Sequence, residues 1–156
     1  MQLAGLFTQR DSAPRIVVWL GYGGLLPFVT LATASLFDPQ RGGAWQQLLL
    51  NYGAVILSFV GALHWGFAMG SSAASERART LSFVWSVVPA LLAWLALLLD
   101  PLAGGALMAA GFGLHVLQDW RLAGQAALPA WYLPLRLRLS VVAAMSLLAA
   151  GWASRA

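Results

Sequence analysis

The residues best equipped for chemistry are two histidines, an aspartate and an arginine in an otherwise apolar chain. His115 and Asp119 stand four residues apart, on one face of a helix, with Gly111 a turn before. An imidazole that donates its N–H to a carboxylate has its tautomer fixed and its basicity raised. That arrangement suits a proton relay or a donor to a bound quinone. His64 lies at similar depth on another apolar run, and Arg136 follows the aromatic pair Trp131-Tyr132. Ionisable groups inside a membrane are functional candidates. If His64 and His115 meet, they could serve as axial ligands of a haem or as a shared metal site. The plainer reading puts each histidine at the interface, bonded to a carbonyl or to water. Arg136 could pair with Asp119, or it could anchor at anionic headgroups together with the aromatics. No carboxylate is expected deep in a span, so a mononuclear metal centre would lack ligands and none is expected.

These residues need a frame, and composition supplies it. Of 156 residues, 60% are apolar and 9% are charged, and mean hydropathy is +0.76. Soluble chains are about 25% charged. So few charges cannot cover a soluble protein of this size. A soluble enzyme, a nucleic-acid-binding domain and a disordered chain are excluded. The nine basic residues are all Arg, scattered between apolar runs with no basic stripe, so nucleic acid is not a partner. Cys is absent, which removes thiolate ligands and Cys nucleophiles.

Five apolar runs read as transmembrane helices: 16–37, 47–69, 81–99, 102–117 (helical to about Asp119) and 135–152. The fold class is therefore all-α, a polytopic bundle of five transmembrane helices. Residues 1–15 form an N-terminal segment, 16–152 the transmembrane domain and 153–156 a tail. Asp38-Pro39 and Asp100-Pro101 end spans one and three. Asp11 and Ser12 with Pro14 are expected to cap span one. The N-terminus is not a good signal peptide and could lie in the interface through Leu3, Leu6 and Phe7. Seven Arg fall on one side of the membrane and two on the other, so the N-terminus is expected in the cytoplasm of a bacterial inner membrane and the C-terminus in the periplasm. Trp19, Trp65, Trp85, Trp120, Trp131 and Tyr132 are expected near the cytoplasmic headgroups.

Two patterns concern packing. Ala54, Ser58, Ala62, Gly66 and Gly70 recur every four residues on span two, which lets helix backbones approach closely. The seam would serve either a homodimer or the bundle itself. Pro27 and Pro89 interrupt spans one and three and are expected to kink them, or to free carbonyls for a polar cavity. Each stands eleven residues before an Asp-Pro, which hints at a duplicated helical hairpin with a fifth helix appended.

The stretches Gly21–Phe28, Asn51–Gly66, Asp119 and Leu128–Tyr132 with Leu135-Arg136 resemble a bacterial membrane family catalogued as a domain of unknown function, three-four-two-nine. A mitochondrial transmembrane protein, number sixty-nine of its series, shares that domain. The resemblance runs from about Pro14 to Leu148 and is most specific from Ser58 to Gly66. It implies a bacterial inner-membrane location and singles out His64, Trp65, Asp119 and Arg136, less clearly His115. It implies no reaction. The expected function is non-enzymatic, an accessory or scaffold subunit without cofactor that packs against other inner-membrane proteins or its own copy. The alternative is a redox or transport role that binds a quinone, haem or small solute through His64, His115 and Asp119.

Overall fold

A computed structural model describes residues 12–70, 75–123 and 128–153. Leu3, Leu6, Phe7, Arg10, Asp11 and Arg155 lie outside them. The order is α1 (Arg15–Gly23), α2 (Leu26–Phe37), α3 (Gly42–Gly70), α4 (Glu76–Leu97), α5 (Pro101–Ala123) and α6 (Tyr132–Ala153), with no strand among the described residues. The protein is a polytopic all-α membrane protein. Arg15–Phe37, α3, α4 and α6 are long and apolar enough to cross a bilayer. α5 matches them in length but carries His115, Asp119 and Arg121. Large apolar side chains such as Trp19, Phe37 and Trp152 cover the outer surface, as lipid contact requires.

Helix boundaries follow from local chemistry. Asp100 Oδ1 accepts from the backbone N–H of Leu102 and Ala103 at 3.2 and 3.1 Å, and Pro101 occupies the first turn of α5, where its missing N–H is no loss. Ser75 caps α4 through the Ala78 N–H at 3.2 Å. Asp38 accepts from the Arg41 N–H and the Trp45 indole, which ties α2 to the start of α3. The cap expected from Ser12 does not form; Pro14 precedes α1 with no side-chain cap.

Span one is interrupted just before Pro27, although Gly24 and Leu25 keep right-handed helical angles. It breaks at Gly24-Leu25, and Pro27 sits in the first turn of α2. The proline has no N–H to continue the ladder from the preceding turn, so the interruption falls there. Tyr52 pins the break by donating its hydroxyl to the Gly24 carbonyl at 2.9 Å. Pro89, in contrast, lies inside continuous α4. The two halves of the suspected duplication therefore differ at the residue that suggested it.

α3 packs against α2, α4, α5 and α6 and forms the centre of the bundle. Its inward face carries Gly53, Leu57, Gly61, His64 and Ala68. The line expected from sequence is rotated off this face. Ala54 is buried and Ser58 half-buried, but Ala62, Gly66 and Gly70 are exposed, and a Cβ on Gly66 or Gly70 would meet nothing within 4 Å. Gly61 makes the close approach: a Cβ there would lie 2.9 Å from the ring of Pro89. Gly104 does the same against the Ala96 carbonyl. The apolar core around them holds Phe28, Leu49, Leu57, Met108, Phe112 and Leu147.

Candidate functional site

Four helices bring polar side chains together within about two turns of their ends, at the end of the bundle where α3 finishes and α6 begins. α5 supplies Asp119 and His115, which lie on its inward line with Gly104, Met108 and Gly111. α3 supplies His64, α6 supplies Arg136 and α4 supplies Trp85. His64, His115 and Asp119 are fully buried, and Arg136 is 8% exposed. The carboxylate is the hub. Its Oδ1 accepts from His64 Nε2 at 2.9 Å, and its Oδ2 accepts from Arg136 Nε at 3.0 Å. His115 Nε2 stands 3.7 Å from Oδ1, beyond hydrogen-bond length. The Trp85 indole donates to His115 Nδ1 at 3.1 Å. The two imidazoles meet edge to face, with ring centroids 4.9 Å apart.

Beside the cluster lies a half-open cavity of about 320 Å³ between α1, α2, α3 and α6. Its walls are apolar, with Phe28, Phe59 and Phe112 among them, and Leu20 and Gly21 of α1 forming one side. Its polar lining is Tyr132, Arg136 and Ser140, one turn apart along α6. Arg136 Nη2 and the Ser140 hydroxyl are buried without a hydrogen-bond partner among the described residues, and the buried Tyr132 hydroxyl lies toward the Asp119 carboxylate. Ser140 also borders a shallower groove between α5 and α6.

Residues 13–151, which include every member of this site, match the family described as Protein of unknown function (DUF3429). The chain belongs to this family. It is 37% identical over 138 residues to Transmembrane protein 69 of Xenopus tropicalis, an alignment that covers 86% of this chain and 53% of that protein. The chain thus spans about half the length of that relative. No solved structure matches it.

In this DUF3429 chain the hydrogen-bond partners decide where the protons sit. A Trp N–H can only donate, so His115 Nδ1 holds a lone pair and its proton is on Nε2, facing Asp119. An ionised carboxylate can only accept, so His64 Nε2 carries a proton, while its Nδ1 is buried and unpartnered among the described residues. Asp119 opposite His64 therefore orients the imidazole in the manner of a carboxylate–histidine dyad. One carboxylate faces one guanidinium in the cluster.

The same accounting tests the bound groups considered from sequence. One ligand atom each from His64, His115 and Asp119 lies within 4.8 Å of the others. A metal would need a lone pair on His115 Nε2, which the Trp85 bond denies it. Arg136 would also stand beside the metal with its charge already matched to Asp119. A metal ion does not fit this donor set. Paired axial ligation of haem does not fit either, because an edge-to-face contact leaves no slot for a flat macrocycle between the imidazoles.

DUF3429 residues chosen from sequence divide into two groups. His64, His115, Asp119 and Arg136 converge. The two histidines and Asp119 are all buried within the protein, with His64 bonded to Asp119 and His115 accepting from the Trp85 indole. Arg136 is a buried partner of Asp119 and not a surface anchor. Trp65 stays outside: it is half exposed and packs edge to face on Phe83 at 5.0 Å. Trp85 and Tyr132, read as interfacial anchors, turn out to belong to the site. Tyr132, Arg136 and Ser140 recur every four residues on an apolar helix, a polar stripe legible in the sequence. Trp85 has no such signal.

Proposed function

We propose that this protein binds a lipid-soluble amphipathic molecule within the bilayer, with the head group at the polar end of the α1–α6 cavity and the tail leaving through its open side. One observation carries this reading: a half-open cavity, apolar except for Tyr132, Arg136 and Ser140, lies directly beside the buried Asp119 cluster. A bundle built only for packing has little use for such a cluster, because taking a charged pair out of water costs several kcal/mol per ion. The volume of about 320 Å³ is in the range of small-molecule sites. This is a binding role and not an enzymatic one, and its place is a bacterial inner membrane with the Arg-rich end cytoplasmic. Native mass spectrometry of protein released from its own membranes tests it. A bound lipid-soluble adduct is expected in the wild type and lost in Leu63→Trp, which fills the cavity from a half-buried wall position. Equal adducts in both, or none in the wild type, would remove the reading.

The second reading, an accessory subunit that packs against another membrane protein or a second copy, draws support from the exposed line Ala62, Gly66 and Gly70. Small residues facing lipid permit close helix association. Cysteine crosslinking at Gly66 in native membranes tests it: specific adducts at this position and not at Val55, exposed elsewhere on α3, are expected if a partner covers the line.

A further inference from the structure

We infer that the groove between α5 and α6 seats one acyl chain of an acidic phospholipid, drawn from the leaflet at the Asp119 end of the bundle, with its phosphate beside Arg138 and Arg121. The groove lies across α6 from the α1–α6 cavity, and the inference does not rest on the reading given to that cavity.

The groove has the length of one leaflet. It encloses about 270 Å³ between apolar walls, with Ala109 and Gly113 of α5 and Ala144 of α6 as a floor of small side chains. A Cβ on Gly113 would meet nothing within 4 Å, so the floor is open. The α5 wall runs from Trp120 to Ala109, roughly 16 Å at 1.5 Å per residue. The hydrocarbon core is about 30 Å thick, which gives each leaflet about 15 Å. The open stretch lies at the end where the Asp119–Arg136 pair bridges the two helices. It closes at Gly105, where a Cβ would lie 3.1 Å from the Leu147 carbonyl oxygen. A chain entering from one membrane face ends there, whereas a transmembrane partner helix would have to run on past the closure.

Charge selects the head group. α5 and α6 run antiparallel and Asp119 faces Arg136, so Arg138, two residues further on, stands about level with Leu117 in the groove wall. Arg138 is exposed beside Leu137 and Val141, which line the groove, and it has no ion pair among the described residues. A lipid-facing guanidinium at this depth is costly without a partner. Helical side chains lean toward the N-terminus, which for α6 is the membrane-face end, so Arg138 reaches toward lipid phosphates. Arg121 adds a second exposed cation next to Trp120, and its amide contact with Gln118 is long, at 3.5 Å. The described acids stand elsewhere: Asp38 and Asp100 at the opposite end, Glu76 at the start of α4, and Asp119 buried and paired. Two cations without a counter-charge favour a head group of net negative charge over a zwitterionic one. Trp120, at the mouth, suits the headgroup boundary.

The test is a native mass-spectrometry titration of the full chain in detergent with phosphatidylglycerol and phosphatidylcholine of identical acyl chains. Phosphatidylglycerol should bind at least about fivefold more tightly, and Arg138→Gln should weaken it about fivefold, the worth of one arginine near an anionic head group. Arg79→Gln, exposed at the same end on α4, should leave it unchanged. Gly113→Leu and Val141→Trp fill the groove from its two walls, and both should remove the tight site. Wild type and Arg138→Gln should melt alike in lipid-free detergent, which separates a lost contact from a lost fold; a filling variant is scored only if it does the same, and the two walls give two chances. Equal binding of the two lipids would overturn the charge assignment. Equal losses from Arg79→Gln and Arg138→Gln would mean diffuse attraction with no site. Undiminished binding in a folded Gly113→Leu or Val141→Trp protein would mean that the groove is not the seat.

Discussion

Asp119 accepts from two residues on two other helices, and no water-exposed group shares the load. Removing one partner of a buried charged pair costs about 3–5 kcal/mol, whereas an exposed pair is worth about 0–1 kcal/mol. Asp119→Asn strands the Arg136 charge, so thermal or denaturant unfolding in detergent should show a loss of about 3–5 kcal/mol. Arg138→Gln, on the exposed side of α6, should change stability by less than about 0.5 kcal/mol. A small effect for Asp119→Asn would return the cluster to ordinary interfacial anchoring. Trp85 acts on the proton of His115. Nitrogen-15 NMR of labelled histidine should place that proton on Nε2, and Trp85→Phe should let the other tautomer appear. A wild-type His115 protonated at Nδ1 contradicts the hydrogen bond drawn here.

At the scale of the helices, a rotation of one residue separates the sequence reading from the fold. The four-residue line of small side chains on α3 is real, but the contact face is the neighbouring one through Gly53, Gly61 and His64. Helical periodicity cannot choose between adjacent faces when lipid and core are equally apolar, since both accept Ala and Gly. What chooses is Pro89, whose rigid ring seats on Gly61. Gly61→Ala should therefore cost about 1–3 kcal/mol through overpacking against a ring that cannot move aside. Gly66→Ala meets open space and should be neutral or gain up to about 1 kcal/mol from helix propensity. Equal losses in a thermal melt of the two variants would mean that the inward face of α3 is misplaced.

For the whole molecule, the Arg asymmetry sets a direct expectation for orientation. Reporter fusions after Arg15, Glu76 and Gln125 should read cytoplasmic, and fusions after Arg41 and Ala156 periplasmic. That result would put the Asp119 cluster and the polar end of the cavity on the cytoplasmic side. A periplasmic reading after Glu76 would invert both.

The sequence by itself determined the solvent and the secondary structure. Apolar runs of helical length, with Asp-Pro at their exits, leave no other way to satisfy the backbone in lipid. It also marked His64, His115, Asp119 and Arg136, because an ionisable group in such a run is costly enough to stand out. Tertiary structure decided the rest. Whether His64 and His115 share a site depends on how α3 rotates against α5, and whether Arg136 anchors lipid or neutralises Asp119 depends on the depth at which α6 enters the bundle. Trp85 and the cavity were illegible beforehand for the same reason. An indole on an apolar helix looks alike facing headgroups or a histidine, and a cavity belongs to the space between helices, which no single segment encodes.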